Sequence, residues 1–117
     1  MSNYIEPTDQ LSDGAKDLVR ALHSLKEEVE AVIWYHQRID TSDDDALKEI
    51  LKHNRDEEIE HVCMVLEWLR RNMPVWDEEL KENLFKEGPI GHPEEVNQAD
   101  GDIPATPGSL RLGSMKK

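Results

Sequence analysis

Four carboxylates and one histidine occupy the six-residue segment DEEIEH, residues 56–61. Within it, Glu58 and His61 are three residues apart, so on a helix their side chains are neighbours on one face. A carboxylate oxygen and an imidazole nitrogen are donors that bind iron, manganese or zinc. Taken alone, Glu-x-x-His is a weak motif, because most such pairs are exposed helix residues or a histidine bonded to its own carboxylate neighbour. The pair indicates a metal site only if a further ligand faces it.

The first long helix is expected to supply that ligand. It runs from Leu11 to about Ile39, because its apolar positions follow alternating steps of four and three. Projected as a heptad, Glu28 falls on an inward seam among leucine and valine, whereas Glu27 and Glu30 point to a solvated face. A carboxylate among apolar side chains is very costly without a counter-charge. Glu28 is therefore a candidate ligand of a metal dication.

Two further helices follow. The acidic segment DTSDDDAL, residues 40–47, breaks the first pattern, and Ser42 is predicted to be the N-cap of the second helix. This helix is expected to run to about Asn72 and to be ended by Pro74. A third, shorter helix is predicted over residues 76–86. Because the first connection spans only a few residues, the two long helices are predicted to form an antiparallel hairpin.

The predicted fold is all-α, an antiparallel two-helix hairpin with a short C-terminal helix, in a helical domain over residues 1–90. Such a domain is too small to close a bundle alone, so we expect it to dimerise into a ferritin-like four-helix bundle. Ferritin-like di-iron sites use one Glu from each of two helices and a Glu-x-x-His pair from each of two others. Glu28, Glu58 and His61 are half of that set, and a two-fold dimer would complete it.

Composition limits the classes of function. The 117-residue chain carries a net charge of −12, with 26 acidic and 14 basic side chains. This charge attracts cations and argues against nucleic acid or an anionic membrane as a partner. No apolar run approaches the ~20 residues of a membrane span, and the N-terminal residues lack the features of a signal peptide. Cys63 is the single cysteine, expected to be buried in a reducing, cytosolic protein.

Four segments in order resemble the encapsulated ferritins, a family of small ferritin-like cargo proteins of encapsulin nanocompartments. They are EAVIWYHQRID (30–40), HNRDEEIEH (53–61), LEWLRRN (66–72) and LFKEGPI (84–90). The resemblance implies hairpins that pair into dimers with a ferroxidase centre at the interface, two iron ions per dimer, and assembly into an annular homodecamer. The residues that it implicates are Glu28, Glu58 and His61 as catalytic metal ligands, Glu27 and Glu30 as a secondary metal site on the route to the centre, and Trp34 and Tyr35 as a nearby aromatic pair.

The C-terminal region is interpreted separately. Residues 91–107 are rich in turn-forming residues and are predicted to be a flexible linker. The segment GSLRLGSMKK, residues 108–117, resembles the peptide that docks such cargo onto the encapsulin shell. Its apolar side chains have no core of their own, and an extended peptide can place them in pockets of a partner; they are Leu110, Leu112 and Met115. The resemblance thus implies a cytoplasmic protein housed inside an encapsulin nanocompartment.

Three functions stay open on the residues themselves. The first is a ferroxidase that oxidises Fe(II) with dioxygen and feeds mineral storage in the shell. The second is a metal-poor helical adaptor that only organises other proteins. The third is a metal enzyme that binds the same ion but consumes peroxide. Ligand type does not separate iron from manganese or zinc.

Overall fold

The computed structural model describes residues 4–91, and all regular structure in that range is helical. A short 3-10 turn, Thr8–Gln10, precedes α1 (Asp13–Thr41), α2 (Asp45–Asn72) and α3 (Pro74–Asn83). The prediction of an all-α fold with two long helices and a short one is confirmed. None of the helices in the described range has both the length and the apolar character that crossing a bilayer requires.

The connection between α1 and α2 differs from its prediction. Asp44, and not Ser42, is the N-cap of α2, and its carboxylate accepts the backbone N–H of Leu47 at 2.9 Å. Ser42 ends α1 instead: its own N–H donates to the carbonyl of Arg38, and its hydroxyl accepts the N–H of Asp44 at 3.2 Å. Both residue types cap well, but the anionic Asp44 also complements the positive end of the helix dipole.

The third helix begins two residues earlier and ends three residues earlier than predicted. Pro74 ends α2, as expected, but it is also the first residue of α3. Proline suits this position because its fixed φ matches a helix and its missing N–H needs no partner in the first turn. After Asn83 the chain leaves the helix, and Phe85 adopts a φ of 56°. The chain divides into two units within α3, between Glu78 and Glu79.

The hairpin of α1 and α2 has a small core. The helices pack along each other, but among the described residues only Ile39 and Leu69 are buried apolar side chains. Several apolar side chains of both helices, on and off the predicted stripes, stay exposed, because two helices cover only one side of each other. The exposed apolar side chains of the hairpin include Leu22, Val29, Ile33, Ile50, Ile59 and Met64.

The prediction that Cys63 is buried is wrong, because its thiol side chain is exposed. Cys63 lies five residues after Glu58, which places it about 140° round the helix from that side chain. Its position on the helix, and not the apolar character of a thiol, therefore decides its exposure.

A charged network joins the end of α2 to the first turn of α3. The guanidinium of Arg70 donates two hydrogen bonds of 2.8 Å to the Glu67 carboxylate and one of 2.6 Å to the Asp77 carboxylate. Arg71 adds a bond of 2.6 Å to Glu67. These hydrogen bonds favour the charged carboxylate, so they lower the pKa of Glu67 to about 2.

Candidate metal centre

Three side chains from the two long helices converge near the middle of the hairpin. Glu28 comes from α1, and Glu58 and His61 come from α2. One ligand atom from each lies within 4.8 Å of the other two. The Nδ1 atom of His61 is 3.3 Å from Glu28 Oε2 and 3.6 Å from Glu58 Oε1. We call these three residues the candidate centre.

The local sequence explains this convergence. Glu28 lies near the middle of α1 and Glu58 near the middle of α2, so an antiparallel hairpin with a short connection brings the two positions opposite each other. His61 lies three residues after Glu58, on the same side of α2. Nδ1 is the ring nitrogen that faces both carboxylates. The helices thus present two oxygen donors and one nitrogen donor to the same small volume.

The electrostatics of the two carboxylates fit a cation. The carboxyl of Glu28, which lies within hydrogen-bonding reach, raises the pKa of Glu58, and partial burial adds to the effect. His61 acts in the opposite direction through its charge. Two carboxylates held together resist simultaneous ionisation unless a positive charge lies between them. A divalent metal ion supplies that charge and reverses the effect on the pKa.

The candidate centre is partly open to solvent. The side chains of Glu28, Glu58 and His61 are 27%, 23% and 45% exposed. Three donors from one chain leave coordination positions free on a metal ion, since structural sites have at least four ligands. The donor set therefore fits a metal ion that takes its remaining ligands from water or from another chain.

The two secondary acidic residues are not among the side chains that converge at the candidate centre. Glu27 and Glu30 are exposed, as the heptad projection predicts. Glu27 contacts His23, whose Nε2 lies 3.3 Å from Glu27 Oε2. His23 was not predicted to be a site residue, although it stands four residues before Glu27 and therefore on the same helix face.

The aromatic residues Trp34 and Tyr35 lie on α1 but differ in exposure. Trp34 and Tyr35 are adjacent on α1, so their side chains point about 100° apart. The Trp34 side chain is half-exposed, whereas Tyr35 is partly covered and has the Arg38 guanidinium 5.4 Å from its ring centroid. The predicted targeting residues Leu110, Leu112 and Met115 lie outside the described residues.

The sequence profile of the EncFtn-like family matches residues 3–87, which is most of the chain. The chain belongs to the EncFtn-like family. It is 54% identical over 112 residues to a "Ferritin-like protein" of Thermotoga maritima, covering 96% of each chain. It is 46% identical over 120 residues to an "Encapsulated ferritin-like protein" of Rhodospirillum rubrum, covering 95% of this chain and 86% of that protein. The resemblance inferred from the four sequence segments is therefore confirmed.

A solved structure supports the same relationship. The crystal structure of a protein from Nitrosomonas europaea superposes with a TM-score of 0.74 at 54% sequence identity. The match covers 78% of this chain and 100% of that one. The helical arrangement described here is thus one that a member with closely similar sequence adopts in a crystal.

Proposed function

We propose that the chain is a ferroxidase, which oxidises Fe(II) to Fe(III) with dioxygen and feeds iron mineral storage inside an encapsulin nanocompartment. The observation that carries this proposal is the convergence of Glu28, Glu58 and His61 from two helices within 4.8 Å. Membership of the EncFtn-like family supports it. So does the likeness to a relative that is named an encapsulated ferritin-like protein.

The donor types suit the oxidation of iron, which is the substrate. Carboxylate oxygens are hard, anionic donors that stabilise Fe(III) more than Fe(II), so Glu28 and Glu58 favour loss of an electron from the bound ion. In this proposal Glu58 would be the bridging ligand and Glu28 the second carboxylate; each carboxyl lies beside the other and near His61 Nδ1. His61 supplies its Nδ1 lone pair as the nitrogen donor. When two iron ions are bound, they supply electrons that dioxygen accepts.

A second copy of the chain would complete the centre. One hairpin offers two carboxylates and one imidazole, whereas a two-fold pair offers four carboxylates and two imidazoles for two iron ions. Exposed apolar side chains on both long helices support association. We propose a dimer with the centre at its interface, and assembly of such dimers into the annular homodecamer that the resemblance implies.

The cargo role rests on the C-terminal region. We propose that residues 1–90 form the ferritin-like domain, that 91–107 are a linker, and that 108–117 are the peptide that binds the encapsulin shell. Leu110, Leu112 and Met115 are its apolar contacts in this proposal. The protein then acts in the cytoplasm, inside the nanocompartment, with neither nucleic acid nor a membrane as its partner.

The experiment that tests this function adds Fe(II) aerobically to the full-length chain and follows the absorbance of Fe(III). Glu58→Ala and His61→Ala are expected to lose most of the oxidation while keeping their helical circular dichroism. Glu60→Ala and His36→Ala are matched controls, because they remove exposed side chains of the same types. Both controls are expected to keep the wild-type rate.

Three results would contradict the proposal. Wild-type rates in Glu58→Ala and His61→Ala would show that oxidation occurs elsewhere. Oxidation by the wild-type chain no faster than that of Fe(II) in buffer would leave the metal-poor adaptor as the better interpretation. A strong preference for hydrogen peroxide over dioxygen would indicate a peroxide-consuming enzyme.

A further inference from the structure

A second histidine–carboxylate pair lies on the outer side of α1. His23 Nε2 is 3.3 Å from Glu27 Oε2, and the two side chains are 36% and 65% exposed. Four residues separate them, so they occupy successive turns of one helix face. Glu27 immediately precedes Glu28 and therefore points about 100° away from that ligand round the helix. The pair is thus separate from the candidate centre.

The same pattern occurs once on each long helix. HSLKEEVE, residues 23–30, and HNRDEEIE, residues 53–60, share a histidine, then two glutamates after three residues, then Val or Ile and a third glutamate. Only the three residues after each histidine, SLK in the first segment and NRD in the second, differ in character. In both segments the sixth residue is the carboxylate of the candidate centre, and the first and fifth residues form an ion pair. In α2 that pair is His53 and Glu57, at 3.6 Å.

The geometry of the first pair fits chelation of one metal ion. Two donors at about 2.1 Å from a metal are about 3.0 Å apart at a right angle and about 3.4 Å apart at a tetrahedral angle. The distance of 3.3 Å between His23 and Glu27 lies in this range. Zinc-binding helices use donors four residues apart for the same reason. Little movement of either side chain is needed to bind an ion.

We propose that His23 and Glu27 form a second metal site, which binds a divalent transition metal and completes its coordination with water. The imidazole selects such ions over Ca²⁺ and Mg²⁺, which prefer oxygen donors. Glu30 lies seven residues after His23, two turns further along the same stripe, and adds negative charge beside the site. His23 thereby supplies the nitrogen ligand that the predicted secondary site of Glu27 and Glu30 lacks.

The test measures Zn²⁺ binding by the full-length chain in a background that carries Glu58→Ala and His61→Ala. This background removes two of the three ligands of the candidate centre, so the result does not depend on iron oxidation. His23→Gln keeps a hydrogen-bonding side chain but loses the imidazole, and it is expected to lose about one bound zinc ion per chain. His36→Gln is the matched control, since the His36 ring forms no ion pair with any residue that the structure describes, and it should lose none.

A second measurement locates the zinc in the unaltered chain. Zn²⁺ is expected to protect His23 from carbethoxylation by diethyl pyrocarbonate, as read by mass spectrometry, while His36 reacts at an unchanged rate. Added Ca²⁺ should not protect His23. If His23→Gln loses helicity, Glu27→Gln replaces it and should show the same loss of zinc. Unchanged zinc binding in the variant, or unprotected His23, would overturn the proposal and leave an ordinary ion pair.

Discussion

His61 Nδ1 lies 3.3 Å from Glu28 Oε2, although 33 residues separate them in the chain. Neither residue's own helix brings about this contact. It exists because α1 and α2 lie antiparallel, and because Glu58, on the same side of α2 as His61, faces the same point of α1. Five predictions follow from this arrangement, the charges around it and the C-terminal tail.

The first prediction concerns repulsion within the candidate centre. Glu58 has a raised pKa because the Glu28 carboxyl lies beside it and because it is partly buried. A folded pKa above the unfolded value contributes stability below the unfolded pKa, and this stability is lost as pH rises through the folded pKa. We therefore expect Glu58→Gln to raise the melting temperature of the metal-free chain at pH 7 and to have a smaller effect near pH 4.

When metal is bound, the wild-type chain should have a higher melting temperature than Glu58→Gln. A ligand at a hundred times its Kd stabilises the folded state by about 2.7 kcal/mol. Zn²⁺ or anaerobic Fe(II) should stabilise the folded wild-type protein by a free energy of this size. The same metals should stabilise Glu58→Gln much less. Thermal melts with and without metal measure both effects, with the exposed Glu60→Gln as the control. A metal-free Glu58→Gln chain that melts below wild type at pH 7 would contradict the repulsion argument.

The second prediction concerns acid stability at the junction of α2 and α3. Arg70 and Arg71 lower the pKa of Glu67 to about 2. A depressed carboxyl pKa contributes stability above the unfolded value of 4.5, and this stability is lost as pH falls from there to about 2. Glu67→Gln should therefore narrow the difference in melting temperature between pH 6 and pH 3. Glu49→Gln is the control, because within residues 4–91 the Glu49 carboxylate forms only an exposed pair with Lys52 at 3.5 Å, and such pairs contribute little.

The third prediction concerns Glu27 and Glu30. Both are exposed on a chain of net charge −12, so they should concentrate Fe(II) near the candidate centre. The double change to Gln should slow Fe(II) oxidation a few-fold at an ionic strength of about 0.01 M, where the Debye length is about 30 Å. The difference should vanish at about 1 M salt, where that length is about 3 Å. If the rates agree at both ionic strengths, the two glutamates are only a solvated face.

The fourth prediction concerns association. Because one chain holds half of the proposed ligand set, the oxidation rate per chain should fall when the protein is diluted below the dissociation constant of the dimer. Iron should favour the associated form, since a metal ion shared across an interface stabilises it by mass action. Light scattering and stopped-flow oxidation on the same dilution series measure both quantities. Full activity per chain in a sample that scatters as a monomer would disprove a centre at an interface.

The fifth prediction concerns the tail. Deletion of residues 108–117 should leave Fe(II) oxidation by the free protein unchanged, because the candidate centre consists of Glu28, Glu58 and His61, which the deletion keeps. The same deletion should abolish co-purification with a co-expressed encapsulin shell. A chain in which Leu110, Leu112 and Met115 are changed to Ser separates the apolar contacts from tail length, and it should behave like the deletion. Normal packaging of the truncated chain would place the shell-binding segment elsewhere.

The sequence by itself determined the helices and the ligand types. Alternating steps of four and three predict both long helices, because an amphipathic helix must keep its apolar residues on one face. The end of α2 follows from proline chemistry. The Glu-x-x-His spacing places Glu58 and His61 together whatever the tertiary structure, since residues three apart on a helix are neighbours. Family membership was also readable, because four motifs keep their order and spacing.

Only the tertiary structure decided which side of each helix is covered. Periodicity marks Leu22 and Val29 as apolar but does not say whether a single partner helix can reach them, and both remain exposed. The exposure of Cys63 likewise depends on which side of α2 faces α1. The capping role of Asp44 depends on where the connection between the helices turns into α2. The meeting of Glu28 with His61 required the antiparallel packing of two helices, which fixes a distance that no local pattern contains.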